Sequence, residues 1–76
     1  MAALHVADVR RDGRSVYRVL LVERPNGLQV SLRVWDHQGG PAKALGPTRD
    51  GLDLPIGAVA EVIAALAAAE AQAKAR

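Results

Sequence analysis

Leu28-Gln29-Val30-Ser31-Leu32-Arg33-Val34-Trp35, then a polar stretch through Gly39-Gly40, then Gly46-Pro47-Thr48-Arg49-Asp50-Gly51-Leu52-Asp53-Leu54: this segment decides the fold. Its first eight residues alternate strictly. Leu28, Val30, Leu32 and Val34 fall on one face of a strand and Gln29, Ser31, Arg33 and Trp35 on the other. Asp36 to Gly40 is a polar loop. Ala42 to Leu54 holds a further strand, made irregular by Gly46 and Pro47. A proline there removes a ladder donor, which predicts an edge or bulged strand.

Outward from this segment the pattern stays β. Leu4 to Val9 is a short first strand, and Arg10 to Arg14 a turn signalled by Asp12-Gly13. Val16 to Arg24 is rich in β-branched and aliphatic residues and forms the second strand. Pro25-Asn26-Gly27 is the next turn, with Asn-Gly expected to supply positive φ. After Leu54 the period changes. Pro55 suits a first helical position, and Ile56, Val59, Val62, Ile63 and Leu66 share a helical stripe. The core-facing part of that helix should end near Ala67. The predicted order is strand-strand-strand-strand-helix, an α+β fold in one domain over residues 1–76 with the helix at about 55–75.

Seventy-six residues make a small core, and such chains often lean on a staple or a partner. There is no cysteine, so there is neither a disulfide nor a thiolate metal site. The second strand carries aliphatics on both faces: Val16, Leu20 and Val22 on one, Val19 and Leu21 on the other. One helix covers one face of a small sheet. The remainder calls for a second cover, most simply an identical subunit. A homodimer is therefore expected, with Leu20, Val22, Val59, Val62, Ile63 and Leu66 as its core and interface residues. No basic leader precedes an apolar run at the N-terminus. The helix, interrupted by Glu61 and Glu70, is read as too short and too charged to span a bilayer. The expected location is the cytoplasm, with nucleoid association in a bacterium.

Charge is unevenly spread. Positions 10 to 49 hold eight basic and three acidic residues, a net of +5, while the last third is close to neutral. That layout suits a chain that meets phosphate on its sheet, and it is also the layout of an ordinary solvated strand face. Catalytic signals are sparse. His5 and His37 have no spaced ligand partner, Gly39-Gly40-Pro41 lacks the lysine and helix of a phosphate loop, and no serine or threonine has a base at a fixed offset. No enzyme activity and no cofactor are expected. Binding signals are richer. Arg33 and Trp35 share a face, pairing a phosphate-seeking guanidinium with an indole that either stacks on a base or packs against the helix or a partner. Arg18 and Arg24 extend this track if their strand presents them on the same side.

The segment from Val30 to Trp35 and from Gly46 to Leu54 resembles the positive cofactor four family of transcriptional coactivators. Arg33, Trp35, Pro47, Arg49, Gly51 and Leu54 fall on the family pattern, and the resemblance runs over Leu4 to Leu66. It implies a curved four-stranded antiparallel sheet, one C-terminal helix, a homodimer, and single-stranded DNA lying over the strands and their loops. On the basic sheet region and that resemblance together, Arg18, Arg24, Arg33, Lys43 and Arg49 are expected to hold the backbone and Trp35 to stack. The strand bound is DNA or RNA, and transcription machinery is a candidate protein partner. Asp50 stands where the family usually has a second basic residue, and Tyr17 and Trp35 are the whole aromatic complement. Binding should then rest on phosphate contacts and fall steeply with salt. The alternative is a dimeric protein-interaction module of the same fold with weak affinity for nucleic acid.

Overall fold

The structure, a computed structural model, describes residues 2–37 and 44–76. The expected turn at Gly39-Gly40 and the candidate Lys43 lie outside the described residues. Four strands follow one another, β1 (Ala3–Arg10), β2 (Ser15–Arg24), β3 (Gly27–Asp36) and β4 (Gly46–Pro55). They pair antiparallel in the order 1-2-3-4. A 3-10 turn (Ile56–Ala58) leads into helix α1 (Val59–Lys74). The α+β architecture expected from the periodicity is the one adopted.

Short connections enforce the meander. In the β2–β3 hairpin Arg24 pairs with Gly27, so the turn proper is Pro25-Asn26. Of the residues in this turn only Gly27 takes positive φ, at 127°, so Asn26 does not supply the left-handed conformation expected of it. Proline at the first turn position presets its φ instead. Residues 11–14 join β1 to β2. Asp12 closes this loop by accepting the Arg14 N–H at 2.8 Å and the Ser15 hydroxyl at 2.9 Å. These bonds, the Arg14 N–H foremost, hold its carboxyl below the usual range.

Register sorts the side chains into two unlike faces. Cross-strand neighbours Tyr17–Val34, Val19–Leu32 and Leu21–Val30 share one face, extended by Leu4 and Val9 from β1 and by Leu52 and Leu54 from β4. This face is almost wholly apolar. The other carries the arginines, with Val16, Leu20 and Val22 among them. Among the described residues only Val22 and Val34 are buried hydrophobics.

The helix does not cover the sheet as expected. None of its residues is buried. Val59 and Val62 are half-buried, whereas Ile63 and Leu66 are each 61% exposed. Nor is Pro55 the first helical residue: it ends β4 opposite Gln29 and caps the 3-10 turn. The helix runs unbroken to Lys74, within the expected extent of about 55–75. Residues Ile56–Lys74 form a 19-residue segment of mean hydropathy 1.5, long and apolar enough by length and composition to cross a membrane. The expectation that it falls short on both counts does not hold, because alanine fills the gaps between its three charges.

The result is an open plate of 40 × 37 × 18 Å. Its radius of gyration is 14.4 Å, where a compact domain of this length has about 11 Å. The chain exposes 5712 Å², against about 4,500 Å² for a compact 8.0 kDa monomer. Apolar residues of the sheet and helix contribute to that exposed surface. Leu4, Tyr17, Leu28, Leu52 and Ile56 all stand at least 40% exposed.

Candidate nucleic-acid interface

Pairing of Arg18 with Arg33 and of Val16 with Trp35 puts Arg18, Arg24, Arg33 and Trp35 on one face. The condition set by the sequence is thereby met. Two like charges directly opposite each other repel, so something must offset them. The row completed by the outer strands is Asp8–Arg18–Arg33–Gly51.

Asp8 is where it is because β1 is irregular. The register slips between His5 and Ala7, leaving Val6 as an extra residue. Strict alternation would send His5 and Asp8 to opposite faces. The bulge brings them together, and the His5 Nε2–H donates to Asp8 Oδ1 at 2.8 Å. Arg18 then grips the same carboxylate twice, from Nε at 2.9 Å and from one terminal nitrogen at 3.0 Å. The Arg18 guanidinium, ahead of His5, draws the Asp8 carboxyl down to about 2. In return Asp8 raises the pKa of Arg18.

Trp35 is half-buried, and the Arg18 guanidinium carbon lies 4.5 Å from the centroid of its ring. One face of the indole thus already carries a cation. Its Nε1 is buried, with no hydrogen-bond partner among the described residues.

Arg33 also latches the edge strand. The stretch from Pro47 to Gly51 holds five residues, whereas its partner stretch from Trp35 to Arg33 holds three. Side chains satisfy the backbone of this bulge. Arg33 donates to the carbonyls of Thr48 and Arg49 at 3.3 and 3.1 Å. The Thr48 hydroxyl donates to the Val34 carbonyl at 2.9 Å and accepts the Asp50 N–H at 3.1 Å. Gly51 passes so close to β3 that a Cβ would sit 2.6 Å from the Leu32 carbonyl oxygen. The Gly-Pro-Thr-Arg-Asp-Gly run is therefore a latched bulge on an edge strand, as its proline predicts.

Asp53 is the second acid on this face, 3.6 Å from Arg24 and 3.8 Å from Arg33. Those separations are charge contacts, looser than the Asp8 pair. Arg49 is exposed in the bulge, and among the described residues its guanidinium meets no carboxylate. Leu20 and Val22 lie on this same face, half-buried and buried, as the packing between the arginines.

The surface thus offers Arg10, Arg18, Arg24 and Arg33 against Asp8 and Asp53, with one indole. Arginine forks suit phosphate, and an indole beside them suits a base. Among the described residues no group of three His, Asp or Glu could hold a metal. Sequence reasoning missed Asp8, Asp53 and Thr48. Asp8 needed the bulge to be seen, and Asp53 lay outside the basic window. Thr48 sits inside the recognised motif, where a hydroxyl in a Gly/Pro-framed bulge was the available signal.

Known structures share this architecture. A PC4 homologue from Burkholderia pseudomallei superposes with a TM-score of 0.79 at 22% identity, covering 91% of this chain and 98% of that one. Its second crystal form gives the same score and identity over 91% and 90%. The bacteriophage T5 homologue of the eukaryotic transcription coactivator PC4, implicated in recombination-dependent DNA replication, scores 0.71 at 13% identity over 97% and 83%. No protein-family model and no curated protein sequence matches the chain. The fold is that of the PC4 homologues.

Proposed function

We propose that this chain is a PC4-like, homodimeric protein that binds single-stranded DNA with little regard to sequence, as a transcription coactivator or an accessory of replication or repair. The observation that carries the reading is the gathering of Arg18, Arg24, Arg33 and Trp35 on one sheet face of that fold. Arg18, Arg24 and Arg49 contact phosphates, and Lys43 joins them. Arg33 holds the bulge and lends its remaining donors. Trp35 stacks a base with the part of its ring that stays exposed. The binding is non-catalytic and takes place in the cytoplasm. The chain's apolar sheet face and helix are covered by the second copy.

Fluorescence anisotropy with a labelled oligonucleotide, single-stranded against duplex, tests this over a salt series. Preference for the single strand and a steep loss with salt are expected. Equal affinity for both forms at low salt refutes it.

One observation favours a second reading, a dimeric protein-interaction module. Asp8 and Asp53 already neutralise part of the arginine row. Reversing Arg24 and Arg49 to glutamate separates the two. Oligonucleotide binding collapses under the first reading, and under the second there is little to lose. Arg33 is a poor choice for this experiment because it latches β4.

A further inference from the structure

We infer that Asp8 and Asp53 are internal stand-ins for phosphate that set which anions this face accepts. The inference rests on the single-strand reading above and adds a selection rule to it. Asp8 occupies the Arg18 fork with two hydrogen bonds of 2.9 and 3.0 Å, the geometry a phosphate would take. Asp53 reaches Arg24 and Arg33 from the opposite edge of the sheet, at 3.6 and 3.8 Å. The two acids therefore engage three arginines on the central strands. Both belong to edge strands, one displaced onto this face by the Val6 bulge.

A ligand must exchange with these carboxylates to reach the arginines. A lone phosphate trades one anion for another that is already tethered at high local concentration, so it gains nothing. A polynucleotide presents successive phosphates on one chain, and each one bound raises the effective concentration of the next. The carboxylates thus exclude mononucleotides and inorganic phosphate and admit a strand. The Arg18–Asp8 pair is only 18% and 29% exposed at its side chains, so its exchange is the stiffer of the two. The pair also persists at neutral pH, since the Asp8 carboxyl titrates at about 2.

The test compares wild type, Asp8→Asn, Asp53→Asn and Glu70→Gln. Glu70 lies on α1 beside Lys74, away from the arginine row, and controls for the change in net charge. The probes are an oligothymidylate and thymidine monophosphate, measured at one low salt concentration. Wild type should bind the oligonucleotide and not the monophosphate. Each asparagine variant should bind the oligonucleotide about three- to fivefold more tightly than the control, the size of an ion pair released. The Asp8→Asn variant should also gain measurable affinity for the monophosphate. Asparagine variants no tighter than the Glu70→Gln control, or weaker than wild type, overturn the inference while leaving the single-strand reading intact. Failure of every variant to bind the oligonucleotide overturns both. Because Asp8 and Asp53 sit on opposite edge strands, loss of folding in one variant leaves the other to decide.

Discussion

The Arg18 guanidinium lies between the carboxylate of Asp8 and the ring of Trp35, 4.5 Å from the ring centroid. Its position is thus fixed by charge on one side and by a π face on the other. A long side chain on an open sheet is otherwise free to rotate, and each contact removes part of that freedom. Together they hold a phosphate-shaped fork beside the only indole in the chain.

The Asp8 pair makes folding sensitive to acid. Its carboxyl titrates at about 2 in the folded chain, below the ordinary 3.8, because Arg18 binds the charged form. The stabilisation is complete above the ordinary value and disappears as pH falls through about 2. Urea midpoints measured from neutral pH down to strong acid should show wild type above Asp8→Asn at neutral pH. The gap should close between about pH 4 and pH 2. A gap that stays constant across that range would show that Asp8 acts by shape and not by charge.

Trp35 should report on ligand directly. Replacing it with alanine removes one stacking surface, an expected loss of about 1–3 kcal/mol in oligonucleotide affinity. Its fluorescence in the wild-type protein should change on titration with a single strand. A Trp35→Ala variant that binds as tightly as wild type would show that the indole serves only to pack against Arg18.

The β3 alternation was legible because a half-buried strand must alternate, and the order of elements followed from the turn residues. The candidate site was legible only on its central strands. Arg18, Arg24, Arg33 and Trp35 sit on strands of regular register, so parity alone predicts their face. Asp8 does not, since the Val6 bulge inverts the parity of everything after it in β1. Bulges have weak sequence signals, and this one has neither glycine nor proline. Counting charge over positions 10 to 49 also left Asp8 and Asp53 out, though folding returns both to the arginine face. The helix was legible in type but not in placement, because an apolar stripe says that it is covered and not by which chain.

Gly51 should be intolerant of any side chain. A Cβ there would meet the Leu32 carbonyl oxygen at 2.6 Å and the Arg33 Cα at 2.7 Å, both backbone atoms that cannot step aside. Gly51→Ala should destabilise the fold by about 1–3 kcal/mol as an overpacking change. Gly46 lies on the same strand, with nothing among the described residues within 4 Å of its would-be Cβ. Gly46→Ala should stay within about 0.5 kcal/mol of wild type. Equal losses in thermal or urea unfolding would mean that β4 does not approach β3 as closely as described.

The exposed apolar surface makes the strongest demand of all. The chain shows about 1,200 Å² more surface than a compact monomer of its mass, and a standard interface buries about 800 Å² per partner. A recess of about 390 Å³ is lined by Tyr17, Leu32, Val34 and Leu52 together with Arg11, Arg33 and Asp50. Ile63 and Leu66 make little use of their own sheet, so glutamate at both positions costs the single chain little packing. Glutamate is also a good helix former. The double variant should therefore keep its helix by circular dichroism and lose the dimer by light scattering. Wild-type unfolding should shift upward with protein concentration, as mass action requires of a linked dimer, and the variant's should not. A wild-type mass of one subunit at every concentration would overturn the dimer. Sedimentation of that subunit with lipid vesicles would then identify a membrane as the cover for the helix.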